Sequence, residues 1–221
     1  VVVGSRSLLA RAGLLASADD LAAASTVGVA VDGRLVAELS FEDQARPEAR
    51  QAVAALRALG AEVALLSGDR AVSVERVAEA VGIPEMRGDL APGEKAEVLR
   101  RWHASRSGVA MVGDGINDAP ALAAADVGIA FGAASGLARQ TADAIILRED
   151  LCEIPRLVAL SRKTMRIVRQ NLAWAFAYNS VGIVLAAFGL LRPVFASAAM
   201  VLSSLFVVGN SLRLKRSTEN R

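Results

Sequence analysis

The chain has one cysteine, Cys152, and one histidine, His103, in 221 residues. A lone cysteine excludes an internal disulfide framework and any metal site built from cysteines alone. Cys152 reads instead as a small buried hydrophobe. His103 has no cysteine or acidic companion at ligand spacing and reads as a helix-surface residue. There is no initiating methionine. Val1-Val2-Val3-Gly4-Ser5 reads as a strand inside a domain, with an apolar run too short for a targeting segment. Acidic residues are almost missing from the tail: residues 151–221 carry 10 Lys+Arg against 2 Asp+Glu, whereas residues 1–150 carry 15 against 21. The net charge of +2 therefore conceals −6 in the first part and +8 in the second. The basic excess belongs to the tail and gives no argument for a nucleic-acid partner.

What is present is apolar and periodic. Hydrophobic residues make up 53% of the chain, enough for a domain with a core plus a smaller second part. In residues 1–40 a strand (Val1–Val3) leads to a helical stretch (Ser5–Leu15). Two short β-runs follow, Thr26–Val31 and Arg34–Leu39, joined at Asp32-Gly33, which is a strong hairpin signal. Asp32 follows an apolar strand, as a nucleophile would, but the turn explains it and no Thr follows. From Pro47, Ala49, Val53, Leu56 and Leu59 keep near-helical spacing, and Gly60 closes that helix. A strand over Glu62–Leu66, helices over Val72–Val81 and Gly93–Ala104, and strands over 108–112, Val127–Ala130 and Ala144–Leu147 complete the alternation. This predicts an α/β fold with a doubly wound parallel sheet, whose ligands gather at the carboxyl ends of the strands.

Ser67 and Asp114 both sit at such ends. The run Gly113-Asp114-Gly115-Ile116-Asn117-Asp118-Ala119-Pro120 follows the apolar strand 108–112 directly. It places two carboxylates and a carboxamide on a tight loop, where Mg²⁺ takes one or two carboxylates plus phosphate and water. Ser67-Gly68-Asp69 offers a hydroxyl and backbone N–H groups to a phosphate oxygen. Lys95, near the start of a helix, brings a positive charge toward the same point. Phosphoryl transfer needs mostly positioning and charge stabilisation, and these are its parts.

The ordered set resembles the phosphorylation domain of P-type ATPases, a branch of the haloacid-dehalogenase-like fold. That family uses Asp-Lys-Thr-Gly-Thr, then Thr-Gly-Asp, a Lys motif and Gly-Asp-Gly-x-Asn-Asp-x-Pro. Gly113 to Pro120 matches the last in full, Lys95 is in place, and Asp43 with Arg46-Pro47 is similar to the family's Asp-x-x-Arg-Pro segment. Ser67 replaces the Thr, keeping the hydroxyl and losing a methyl. The resemblance implies that Asp114, with Asp118, binds Mg²⁺. It further implies that Asn117 and Asp118 order the phosphate site, and that Ser67, Gly68, Asp69 and Lys95 receive the phosphoryl group. Ala133-Ala134-Ser135-Gly136 departs from a Thr-Asp-containing family segment. No Asp-Lys-Thr-Gly-Thr occurs. The expectation is therefore a C-terminal third or so of a longer protein: residues 1–40 a remnant of the nucleotide-binding domain, 41–150 the phosphorylation domain without its nucleophile segment. ATP is a substrate of the intact protein, and this chain alone is expected to be inactive.

Residues 151–170 form a basic connecting helix, and 171–221 hold two transmembrane helices with a short tail. Asn171–Leu191 and the stretch from Pro193 to Leu212 carry no charge, and each can span a core about 30 Å thick at about 1.5 Å per residue. Lys/Arg clusters flank both ends, with Arg192 alone at the tip, so the positive-inside rule puts the soluble part and both ends in the cytoplasm of a multi-pass plasma-membrane protein. Met200, Ser203 and Ser204 share one helical face. Asn179 lies about 12 Å and Ser204 roughly 14 Å from the cytoplasmic side, so the two clusters can meet near mid-membrane. Tyr178-Asn179 followed by Met200-x-x-Ser203-Ser204 resembles the last two helices of the copper(I) branch of heavy-metal P-type ATPases. Gln170-Asn171-Leu172 and Asn210 to Leu214 resemble the flanks of those spans. The resemblance implies Cu⁺ as the transported ion, and a thioether is a soft ligand suited to it. Val184 stands where the family usually has Pro, which removes one cause of a kink. The partners implied are membrane lipid, the transported ion, and the missing N-terminal portion or a complementary subunit. The alternative is a truncated or split membrane protein with a non-catalytic Mg²⁺/phosphate-binding domain.

Overall fold

The computed structural model describes residues 1–13, 25–41, 44–105, 108–114, 116–190 and 193–219. The chain divides into two compact units, Val1–Ile154 and Pro155–Arg221. The first opens with β1 (Val2–Ser5) and α1 (Arg6–Arg11), then β2 (Ser25–Val31) and β3 (Arg34–Phe41), in an antiparallel sheet ordered β1-β2-β3. Val31 pairs with Arg34 across the predicted turn. Asp32 at φ 49° and Gly33 at φ 78° are the two left-handed residues that a twist-matched two-residue hairpin needs. Asp32 is therefore a turn residue. Predicted Ser5–Leu15 shortens to α1, and the stretch 14–24 lies outside the described residues, as does Asp43.

The α/β layer follows: α2 (Ala49–Ala58), β4 (Ala64–Leu66), α3 (Ala71–Val81), β5 (Glu85–Arg87), α4 (Pro92–Ser105), β6 (Ala110–Gly113), α5 (Ala119–Ala124), β7 (Val127–Phe131), α6 (Gly136–Thr141) and β8 (Ala144–Ile146). All its strand pairs are parallel. The strands do not form one continuous ladder: β4 pairs with β5, and β6-β7-β8 form a separate sheet. Leu99, Val109, Met111, Ala121, Leu122 and Ala130 build one core cluster, with Leu66 of β4 and Trp102 of α4 packed against it. Ala49, Val53, Ala78, Val81 and Ile83 build another around α2 and α3. Gly60 ends its helix as expected and Gly82 ends α3 in the same way, with Ala61 N–H reaching Leu56 O (3.1 Å) and Ile83 N–H reaching Ala78 O (2.8 Å).

Two aspartates fasten the parallel sheet at its strand starts. Asp126, just before β7, accepts from Val109 N–H (2.7 Å) and donates its own N–H to Val109 O (2.9 Å). Asp143, just before β8, does the same with Gly128, at 2.8 Å both ways. The strand register that places Asp114 is thus set partly by carboxylates at the opposite end.

The second unit is helical. It contains most of α7 (Glu153–Ala187), unbroken through Val184, and all of α8 (Pro193–Glu219). Of the two expected spans, only Ala196–Leu214 of α8 is long and apolar enough to cross a membrane among the described residues. In α7 the polar Asn171, Tyr178, Asn179 and Ser180 interrupt the apolar run. Its large side chains nevertheless face outward, with Phe176 68% and Ile183 70% exposed.

Candidate functional site

The predicted loops do lie at strand ends. β4 ends at Leu66, directly before Ser67, and β6 ends at Gly113, directly before Asp114. Ser67 folds its loop onto itself: its Oγ donates to Asp69 Oδ2 (2.7 Å) and accepts from Asp69 N–H (3.1 Å). Ser67 O in turn accepts from Leu90 N–H (3.1 Å), on the segment that leads into α4. A Cβ on Gly68 would stand 3.2 Å from Leu90 O, so the missing side chain permits this approach.

Lys95, one turn into α4, donates from Nζ to Asp118 Oδ1 at 2.8 Å. The two side chains are only 12% and 14% exposed, so this ion pair is mostly shielded from water. It joins α4 to the 3-10 turn Ile116–Asp118. The sequence points Lys95 and Asp118 toward one centre; here each is the other's partner, which orients the ammonium and leaves Asp118 Oδ2 outside the pair. Gly113 makes room for this. A Cβ there would lie 2.7 Å from Asp118 Cβ and 2.9 Å from its Oδ2. Asp114 and Asn117 are exposed, and Gly115 between them is outside the described residues.

Asp114, Asn117 and Asp118 are hard oxygen donors. Among the described residues no three His, Cys, Asp or Glu side chains converge on one point. That donor set fits Mg²⁺ bound through one or two carboxylates, with phosphate oxygens and water completing the shell, rather than an all-protein cage.

The structure gives three residues supporting contacts that the sequence left open. Ser135 caps α6, its Oγ accepting from Ala138 N–H (3.2 Å), while its own N–H donates to Asp114 O (2.9 Å). The departing segment Ala133–Gly136 therefore steadies the Asp114 backbone. A Ser ahead of a short helix is an N-cap signal that could have marked it. Asp89, at φ 54°, accepts from Ala71 N–H (3.0 Å) and donates its N–H to Asp69 O (2.6 Å), bracing the Ser67 loop. Arg46 of the Arg46-Pro47 step donates to Glu149 O (3.2 Å) and lies over the Phe131 ring at 5.5 Å. His103 does have an acidic companion in space: its Nδ1 lies 2.9 Å from Asp126 Oδ1 on the surface. The hydrogen bond from Val109 N–H, then that from His103, hold the Asp126 carboxyl below the usual carboxylate range.

In the helical unit, Trp174 and Phe206 stack with centroids 4.5 Å apart, and Asn171 Nδ2 donates to Ser211 Oγ (3.1 Å). This antiparallel register sets Tyr178 and Asn179 level with Leu202 and Ser203. No hydrogen bond joins the two clusters among the described residues. Ser204 Oγ donates to Met200 O (3.0 Å) within its own helix, and Met200 is 63% exposed.

Comparison with known proteins follows the same lines. The cation-transporting P-type ATPase B of Mycobacterium bovis is 47% identical over 191 residues, covering 86% of this chain and 25% of that protein. The probable copper-exporting P-type ATPase V of Mycobacterium tuberculosis is 42% identical over 225 residues, covering 98% and 29%. The crystal structure of a zinc-transporting PIB-type ATPase in its E2.Pi state superposes with a TM-score of 0.79 at 29% identity, covering 96% of this chain and 34% of that one. The chain thus spans about a quarter to a third of the length of these relatives. The family model for haloacid dehalogenase-like hydrolases matches residues 1–126. That match runs over more than half of the chain and contains Ser67, Lys95, Asp114 and Asp118, so the chain belongs to the haloacid dehalogenase-like hydrolase family.

Proposed function

We propose that the chain is the C-terminal part of an ATP-driven heavy-metal cation transporter that works through an aspartyl-phosphate cycle, with Cu⁺ as the transported ion. The observation that carries this reading is the shielded Lys95–Asp118 pair beside the end of β6. It presents a fixed positive charge and a carboxylate at the point where Asp114 offers a metal ligand. In this reading the Ser67 hydroxyl and the N–H groups of Gly68 and Asp69 receive phosphoryl oxygens. Lys95 neutralises them, and Asn117 and Asp118 order the site. Asp114, with the free side of Asp118, holds Mg²⁺. When bound, Mg²⁺ supplies further charge neutralisation at the phosphoryl oxygens.

The acceptor carboxylate must come from sequence outside these residues, since no Asp-Lys-Thr-Gly-Thr occurs among them. The sheet arrangement supports this. β4 pairs only with β5 and β6 only with β7 among the described residues, so each keeps one unpaired edge. Leu66 packs on the same cluster as Met111, which brings those strands into one neighbourhood. A strand bearing the acceptor would bridge them. The same edges favour a second reading, a split subunit completed in trans. Either way the chain alone is inactive.

Tyr178, Asn179, Met200, Ser203 and Ser204 are the transport ligands in this reading. The Met200 thioether favours Cu⁺, and the relatives' names include copper exporters as well as a zinc transporter. The helical unit crosses the cell membrane with the basic ends cytoplasmic. In the complete protein, radiolabelled ATP is expected to give an acyl phosphate, stimulated by Cu⁺ and reduced more than about a hundredfold by Asp114→Ala. Undiminished phosphoenzyme in that variant overturns the site assignment, stimulation by Zn²⁺ alone overturns the ion, and hydrolysis with no acyl phosphate overturns the cycle.

A further inference from the structure

The polar end of the helical unit holds a site that transport chemistry leaves unused. Lys163, Arg166, Gln170 and Arg213 line a cavity of about 120 Å³. Gln170 and Arg213 also line a second cleft of about 520 Å³, whose remaining wall is mostly apolar: Ala173, Trp174, Ala177 and Phe206, with Asn210. The two share a collar of amides. Asn210, 9% exposed, donates to Gln170 Oε1 (3.3 Å) and Asn171 Oδ1 (2.9 Å) and accepts from Arg213 (3.1 Å). Cations, then amides, then aromatic carbon follow one another along α7.

No Asp or Glu occurs between Pro155 and Leu214, so nothing in this stretch neutralises the cations. Among the described residues neither Lys163 nor Arg166 has an ion-pair partner. A soluble phosphate would use only the cationic end. The apolar cleft from Gln170 to Ala177, about 10 Å long by helical rise, needs an occupant with hydrocarbon attached to its anion.

We propose that this cleft binds an anionic phospholipid, its phosphate held by Lys163, Arg166 and Arg213 and its glycerol and first methylenes lying against Trp174 and Phe206. Basic pockets beside membrane helices are suited to such headgroups. The assignment rests on the membrane reading of α8, and carbonate extraction of the same vesicles reports on that separately.

The test uses the complete protein in phosphatidylcholine vesicles doped with diazirine-bearing phosphatidylglycerol or, in parallel, diazirine-bearing phosphatidylcholine. Adducts are mapped by mass spectrometry. The phosphatidylglycerol probe is expected to label the α7 segment 170–177 and the neighbourhood of Phe206 in preference to the phosphatidylcholine probe. At about fivefold per cation, K163Q/R166Q should lower that labelling roughly 25-fold, while K163R/R166K retains it. Equal labelling by both probes, no labelling of the cleft, or labelling unchanged in K163Q/R166Q overturns the proposal. Displacement of the probe by millimolar inorganic phosphate would overturn it in favour of a soluble anion.

Discussion

The two units differ in what completes them. In the first, apolar side chains close on one another, and the loop residues are fixed by short bonds from their own unit: Asp114 by Ser135, Asp69 by Asp89, Lys95 by Asp118. In the second, polar contacts cluster at one end around Asn210, while Phe176, Ile183, Met200 and Leu202 face outward along the rest. A phosphate site can be largely assembled from strand-end loops of one sheet layer. Among the described residues no hydrogen bond draws Tyr178, Asn179 and Met200 together, so a cation site proposed on them would need surroundings beyond these two helices.

Core truncation should separate the units most. Leu122, 1% exposed, sits in the cluster that Trp102 reports on, so Leu122→Ala should cost about 2–5 kcal/mol in urea denaturation followed by Trp102 fluorescence. Val184→Ala, at a position 53% exposed, should leave the same transition in place. Comparable losses at both would mean that the outward face of α7 is covered and would dissolve the contrast.

Next in size is the shielded pair. Lys95→Met leaves Asp118 charged and unpartnered in a site it barely exposes, a loss of about 3 kcal/mol. K95M/D118N should recover most of that loss, since it removes the stranded charge as well as its partner. Full additivity of the two single changes would show that the pair is not coupled. In the other unit, Asn210→Ala removes bonds to Gln170 and Asn171 for about 1 kcal/mol, read from steric trapping or thermal unfolding in bilayers. An Asn210 effect as large as that of Lys95 would make the helical pair as self-sufficient as the sheet.

The first unit was the more legible for the same reason. Its strand–loop–helix alternation, the Asp32-Gly33 turn and the stops at Gly60 and Gly82 are local, and each local signal agreed with the fold. β5 was not legible, because Glu85-Met86-Arg87 has no apolar run, and the six-residue helices α5 and α6 are too short to show a period. The bracing groups were hidden differently. Asp89, Asp126, Asp143 and Ser135 are ordinary turn residues until a distant N–H or carbonyl arrives. The Ser67 and Asp114 loops were found from their composition, but the pairing of Lys95 with Asp118 joins residues 23 apart, and only packing of α4 reveals it. In α7, the polar residues that suggested an ion site are the ones that weaken its hydropathy as a span.

The smallest predicted effect concerns Asp126, and its sign follows from its bonds. The Val109 N–H and His103 stabilise the carboxylate, so its pKa is lower folded than unfolded. Its contribution is therefore present above the ordinary carboxylate range and is lost as the pH falls through the depressed folded value. Hydrogen exchange at the Val109 amide, corrected for the intrinsic rate, should show protection that weakens over that acidic window. Asp126→Asn keeps an acceptor for Val109 while removing the charge, so its protection should be lower at neutral pH and converge with the parent at acid pH. His103→Ala should move the acid transition toward the ordinary carboxylate value, because the second of the two bonds is gone. If the amide's protection is flat across that window in both variants and parent, the carboxylate does not fasten β6, and the strand that presents Asp114 is held by its core contacts alone.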